Sequence, residues 1–333
     1  MTKIGIIGGG ISGLYLANKL KNVTIFEGNK FGGDIQGINY RNKCYPVSTL
    51  FAMPNDNILK KEFDSYNIKS KSVSTSPLAI SGPVSALFIF LVYKFIKELS
   101  VSYFILLLLL TIVSIILIFS IVCFYTLSFG ANNKCSSTFD KFTLKDIFSS
   151  NSLRLPYDCG FVKLVDYYSN NNNVNYVNKK VVSVNTTNLT ITTNDGKTYT
   201  FDKIIIATNY KCYSKFLDLK YLKSKQLKSV EYFDFYSTFV DFYSEFESPE
   251  GSLGYQQLDD CYLFASHKPL EFKNAKFIKV YKWSMPQGKN KDYKNLHNDL
   301  HNDNIYFVGK ELAGNGVNQC LLYANNLIET CFS

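Results

Sequence analysis

The strongest constraint on the fold is a cluster of glycines near the start, "KIGIIGGGISGLYLANKL" (residues 3–20), followed directly by "KNVTIFEGNKFGGD" (21–34). Residues 3–8 are apolar with strand character, 11–21 place Leu14, Ala17 and Leu20 at helical spacing, and "VTIFE" is a second strand ending in an acid. Strand, helix and strand in this order predict a βαβ unit. Gly8, Gly10 and Gly13 stand between the first strand and the helix in GxGxxG spacing. The first permits a tight turn, the second lets a pyrophosphate approach the backbone, and the third lets helix and strand pack closely. Ile11 and Ser12 open the helix, so their amides and the positive end of the helix face that pyrophosphate. Glu27, at the end of the second strand, is placed to accept hydrogen bonds from ribose hydroxyls. An acid there repels the 2′-phosphate of NADP but does not separate NAD from FAD.

Composition excludes several other classes. A chain of 333 residues can bury a sizeable core and form two domains. Its net charge of +9 comes from lysines scattered among Asn, Tyr and Ser, which predicts a solvated surface and no nucleic-acid partner. The eight cysteines (44, 123, 135, 159, 212, 261, 320 and 331) form no CxxC pair and have no histidine at ligand spacing, so no metal site is expected. Reduced thiols on a cytosol-facing chain are the expectation. The sequons at Asn22, Asn185 and Asn188 carry no weight for such a chain.

The text from 35 to 80 is polar without a strong period, and its secondary structure stays open. Composition then changes abruptly. "PVSALFIFLVYKFIKELS" (83–100) leads into "VSYFILLLLLTIVSIILIFSIVCFYTLSF" (101–129), which has no charged residue. About 20 such residues span a bilayer, so a membrane insert and contact with membrane lipid are expected. Further on, "GFVKLVDYYSNN" (160–171) has helical spacing with Val162, Leu164, Val165 and Tyr168 available for burial. Residues 174–209 alternate with period two, turn at Asn194-Asp195-Gly196 and end in the apolar strand "KIIIATN", which reads as a β-meander and a buried strand. Residues 211–283 are aromatic-rich with strand-like runs. "NIYFVGKELAGNGVNQCLLYANNLIETCF" (304–332) reads as strand, glycine turn and helix.

The order of these parts resembles the flavin-containing amine oxidases, a family that includes protoporphyrinogen oxidases and carotenoid desaturases. "FGG" (31–33) resembles that family's second glycine pair, Gly32 and Gly33. "YVNKKVVSV" (176–184) resembles the strand whose valine, here Val181, contacts the adenine side of FAD. "KVYKWSMPQG" (279–288) is similar to the segment leading into the last FAD motif, and "IYFVGKELAGNGVNQCLLYA" resembles that motif. The resemblance implies cofactor contacts from Gly309, Glu311, Gly316, Val317 and Asn318, with helix amides facing the flavin. It also implies FAD as cofactor and an α/β fold: a Rossmann-like FAD-binding domain (GR2-type) with a β-rich substrate lobe.

The domain reading is then residues 1–80 as the first part of the FAD-binding domain, 81–135 as the membrane insert, 136–210 as the return through the meander, 211–300 as the substrate lobe, and 301–333 as the C-terminal part. The glycine turn and the last motif must meet around one cofactor, which excludes an odd number of crossings. The insert is therefore a hairpin or a monotopic plug, with the cofactor domain facing the cytosol.

The chain departs from the family in three places. Asp34 stands where the family has arginine after its glycine pair. Lys310 stands where an acid follows the glycine of the last motif, with Glu311 one place on. No lysine can be placed in "VEYFDFYSTFVDFY" (230–243), where many amine oxidases hold a water against the flavin. His297 and His301 share a helix face at i, i+4 spacing but lack an intervening acid, and Cys212 and Cys261 read as ordinary thiols. No catalytic residue is assigned. The expected activity is transfer of hydride from a small-molecule substrate of unknown identity to flavin, with a lipophilic substrate fed from the bilayer as the hypothesis the membrane insert suggests. The alternatives are a non-catalytic dinucleotide-binding membrane protein and an NAD-dependent oxidoreductase.

Overall fold

The computed structural model describes residues 1–48, 57–74, 111, 152–156, 159–217, 231–243, 245–247, 249–287, 304–314 and 316–332. The chain runs through β1 (Ile4–Ile7), α1 (Ile11–Lys19) and β2 (Val23–Phe26), then a hairpin of β3 (Gly37–Tyr40) and β4 (Lys43–Pro46), then α2 (Asn57–Ser65) and β5 (Ser70–Ser74). β6 (Ser152–Pro156) pairs antiparallel with β5 and is followed by α3 (Gly160–Ser169), β7 (Asn175–Val177), β8 (Val181–Asn185), β9 (Thr190–Thr193) and β10 (Thr198–Thr200). β11 (Lys203–Ile206) and α4 (Tyr210–Tyr213) precede four longer strands, β12 (Glu231–Phe242), β13 (Ser252–Leu258), β14 (Cys261–Ser266) and β15 (Ala275–Gln287). β16 (Ile305–Phe307), α5 (Lys310–Ala313) and α6 (Val317–Cys331) come last.

Five strands make one parallel sheet in the order β16-β11-β1-β2-β7. Its residues alternate between two cores, as the pleat requires. Ile4, Ile6, Ile25 and Ile205 point to one face, where they meet Leu14 and Leu16 of α1, Leu164 and Val165 of α3, and Leu321, Ala324 and Leu327 of α6. Ile7, Phe26, Ile204, Ile206, Ile305 and Phe307 point to the other, where the antiparallel strands β8–β10 cover them with Val181, Val184 and Ile191. The layers are therefore helices, parallel sheet and a small antiparallel sheet. Burying a side chain such as Leu14 or Leu321 contributes about 1.5–3 kcal/mol, so the helical layer is held chiefly by this contact.

A second sheet, in the order β13-β14-β12-β15, packs Phe239, Leu263 and Trp283 against Tyr45 and Val47 of the β4 segment. The hairpin tip is also pinned to it. Buried Asp241 of β12 accepts a hydrogen bond from the Tyr40 hydroxyl at 2.7 Å and pairs with Arg41.

Several sequence expectations change here. The first helix ends at Lys19, short of 21, because Asn22 takes φ 56° to turn the chain into β2. The open stretch from 35 holds the β3–β4 hairpin, whose turn residues Arg41 and Asn42 both have positive φ (48° and 60°). Such turns usually announce themselves with Gly, and this one does not. β7 joins the parallel sheet beside β2, so the meander proper is only β8–β10.

The expectation of reduced thiols fails at two positions. Cys44 of β4 and Cys159, the residue before α3, form a disulfide with Cα atoms 5.8 Å apart. They are 115 residues apart in sequence, and only the docking of the hairpin beside α3 brings them together. The apolar insert lies outside the described residues apart from Thr111. Among the described residues no helix is long and apolar enough to cross a membrane.

Candidate functional site: two glycine turns at one sheet edge

The glycine turn leaves β1 at its carboxyl end. Gly8 has φ 112°, and its amide donates to the Phe26 carbonyl at 2.9 Å. A side chain there would be doubly excluded, since a Cβ would also lie 2.6 Å from the Ala207 carbonyl oxygen at the end of β11. The absent side chain of Gly13 makes room for the Gly8 carbonyl, so α1 presses onto the turn. Gly10 differs: a Cβ there meets nothing within 4 Å. It opens α1 without any side-chain cap, and no acid occupies the first turn. The amides of Ile11, Ser12 and Gly13 therefore lack intrahelical partners, which is the arrangement that binds a phosphate.

Glu27 closes one side of this turn. One carboxylate oxygen accepts from the Gly9 amide at 2.7 Å and the other from the Asn29 amide at 2.8 Å. Each oxygen keeps a lone pair for a ribose hydroxyl. The segment before Val181 runs alongside: the Glu27 amide donates to the Val177 carbonyl at 3.1 Å, and Lys180 packs on Gly28. Val181 follows Lys180 at the start of β8, with its side chain in the core beneath Phe26. The second glycine pair forms the opposite wall. The Gly32 amide donates to the Gly9 carbonyl at 2.8 Å, and a Cβ at Gly33 would sit 3.1 Å from the Gly10 Cα.

The C-terminal turn arrives at the same sheet edge from β16. Gly309 has φ 143° and precedes α5, and Gly316 opens α6, whose first turn holds no acid. The Gly316 amide donates to Gln319 Oε1 at 3.1 Å. α1 and α6 pack against one another, Leu14 and Leu16 of the first meeting Leu321 and Ala324 of the second in one core, and the Cys320 thiol at the start of α6 donates to the Gly314 carbonyl at 3.5 Å. Burial pushes the Cys320 thiol up to about 11, so it is an inert core thiol at neutral pH. Val317 packs into the helical core. Asn318 is buried, and its side-chain oxygen accepts from the Leu59 amide of α2 at 3.2 Å, so it leaves only its backbone toward the turn.

Glu311 is turned inward. Its carboxylate accepts from the Tyr210 amide at 3.0 Å and from the Tyr232 hydroxyl. Burial raises its carboxyl above the usual range, with these hydrogen bonds acting in the opposite direction, and burial beside Glu311 raises the Tyr232 phenol. The Lys310 ammonium pairs with Asp34, donates to the Ser284 carbonyl of β15 at 2.8 Å and lies 3.7 Å from the Met285 sulfur. The two sequence departures at 34 and 310 are therefore partners of opposite sign. β12 carries no lysine, but the Lys211 ammonium stands 4.4 Å over the Tyr232 ring and 3.2 Å from the Ser284 hydroxyl.

Ser284 has no local signature in the sequence. Asp34 and Lys310 stand out there as two separate departures, and their opposite charges are the available signal. His297 and His301 lie outside the described residues, where the structure says nothing of them. His267 is exposed against Phe233 and Phe235. Among the described residues no cluster of His, Cys, Asp and Glu could hold a metal.

Fold and turn define the class: an α/β protein with a dinucleotide-binding fold and an antiparallel second sheet. The chain is similar in structure to a CLA-producing fatty acid isomerase from P. acnes, with TM-score 0.65, 12% identity, and coverage of 100% of this chain and 99% of that one. It is likewise similar to a "putative protoporphyrinogen oxidase" from Exiguobacterium sp. 255-15, with TM-score 0.62, 11% identity, and coverage of 99% and 98%. At these identities the likeness is one of fold. No family model and no curated protein matches the chain.

Proposed function

We propose that this chain binds FAD and acts as a flavin-dependent oxidoreductase on a small, lipophilic substrate. The observation that carries the reading is the packing of two glycine-started helices, α1 and α6, against one another at one sheet edge, with Glu27 beside the first. A mononucleotide needs only the first of these. The residues fit the cofactor: Gly10 leaves room for a diphosphate, Glu27 suits a ribose, and the start of α6 offers amides to an electron-rich ring edge.

FAD, when bound, would accept hydride from the substrate. The chain's own part is to hold the diphosphate on the α1 amides, fix the ribose at Glu27, and stabilise negative charge at the start of α6. The lipophilic substrate is supported by the aromatic second sheet and by the apolar stretch 83–129, through which the chain would attach to a membrane and draw substrate from lipid. The fatty acid isomerase among the similar structures is consistent with that choice. A Cys44–Cys159 disulfide is unusual for a cytosol-facing domain, and labelling of free thiols in intact membranes measures directly which side of the membrane the domain faces.

The test is binding followed by turnover. Purified full-length chain should carry or take up FAD, prefer it to NAD, and lose flavin absorbance under anaerobic conditions with a lipophilic substrate. A chain that binds FAD tightly but is never reduced supports the scaffold reading.

A further inference from the structure

We infer that Lys310 serves the cofactor site indirectly, by neutralising Asp34, the residue that follows Gly33, whose backbone lies against Gly10 of the anion-binding turn. This rests on the dinucleotide reading above.

The geometry has three parts. Gly33 stands against Gly10, the glycine that opens α1 onto free space, so Asp34 follows immediately after the wall of the phosphate turn. A carboxylate there opposes the binding of any diphosphate on the α1 amides, by an amount that its partial exposure and dissolved salt reduce. Lys310 comes from the opposite side of the crevice. It follows β16, and β11 and β1 lie between β16 and β2, the strand that leads to Asp34. The pair therefore straps together two loops whose strands are not neighbours.

The ammonium is held for this task. Beyond Asp34 it donates to the Ser284 carbonyl and touches Met285, and its side chain is only 17% exposed against 46% for Asp34. A lysine with acceptors in two separate segments keeps its place, whereas a free surface lysine does not. Asp34 thus enters the site as half of a neutral pair, and its charge reaches the diphosphate only when Lys310 is removed.

The inference predicts a specific pattern of rescue. FAD and ADP, which share the diphosphate, are titrated into wild type and into the K310M, D34N and K310M/D34N variants. K310M should bind about tenfold more weakly, the change that about 1.4 kcal/mol carries, and K310M/D34N should return to within about twofold of wild type. The K310M deficit should shrink at about 0.5 M salt, because it is a repulsion between partly exposed charges. K310R keeps the charge and should bind like wild type, which keeps the test open if K310M folds poorly. A K310M/D34N variant as weak as K310M overturns the inference, since Lys310 then acts on the cofactor directly or only structurally. So does a K310M variant that binds like wild type. A wild-type chain that refuses FAD but binds ADP with this pattern defeats the FAD reading alone, and one that binds neither defeats both.

Discussion

Gly13 and Glu311 show how single residues set the site. Gly13 is forced by space: a methyl group there would run into the Gly8 carbonyl, so Gly13→Ala must push α1 off the turn. The expected cost is about 1–3 kcal/mol in urea unfolding, together with loss of FAD binding. Glu311 is a question of protons. Its carboxyl is raised by burial, so the folded chain holds that proton more tightly than the unfolded one. Its contribution to stability is complete below about pH 4.5, the unfolded value, and is lost as pH rises through the higher folded value. Glu311→Gln keeps an oxygen to accept from Tyr232 and Tyr210 but cannot ionise. Urea midpoints measured against pH should therefore fall across that window for wild type and stay flatter for the variant. The sequence shows Gly13 plainly, because GxGxxG spacing is a local pattern. It cannot show that Glu311 faces inward, because its partners Tyr210 and Tyr232 are far off in the chain.

At the scale of elements, the β3–β4 hairpin is the joint between the two sheets. It buries Tyr45 and Val47 against β12, β14 and β15, and the Cys44–Cys159 disulfide ties it to the start of α3. A cross-link closing so long a loop restricts the unfolded chain, and typical values are about 2–5 kcal/mol. Cys44→Ser should lower stability by that amount, and reductant should lower wild-type melting but leave the variant unchanged. Deep in the second sheet, the Trp283 indole donates to the Ser237 hydroxyl at 3.0 Å. Trp283→Phe leaves that buried hydroxyl alone and should cost about 1–3 kcal/mol by denaturant titration. The β1, α1, β2 and β11 elements were legible because their apolar periods are clean and their turns carry Gly. The hairpin was not, since Arg41 and Asn42 make its turn without glycine, and the disulfide depends on a docking that no local pattern records.

For the whole molecule, the three-layer arrangement explains why remote segments of one chain meet at a single edge. Parallel strands β16, β11, β1 and β2 all point their carboxyl ends the same way, so the loops after β1, β2 and β16 converge whatever their separation in sequence. That convergence brings the loops carrying Gly10, Glu27 and Gly316 to one edge of the sheet, and in the sequence only the order of the motifs hinted at it. The apolar stretch 83–129 was equally plain in composition, but apart from Thr111 it lies outside the described residues, and how it meets the rest of the chain is a matter for membrane fractionation and thiol labelling. The central claim is that the two glycine turns share one flavin. The most direct measurement is the visible absorption spectrum of the purified full-length chain after incubation with FAD and removal of free ligand. The account predicts a bound flavin spectrum in near one-to-one ratio, lost in Gly13→Ala; a colourless wild-type chain that ignores added FAD would contradict it.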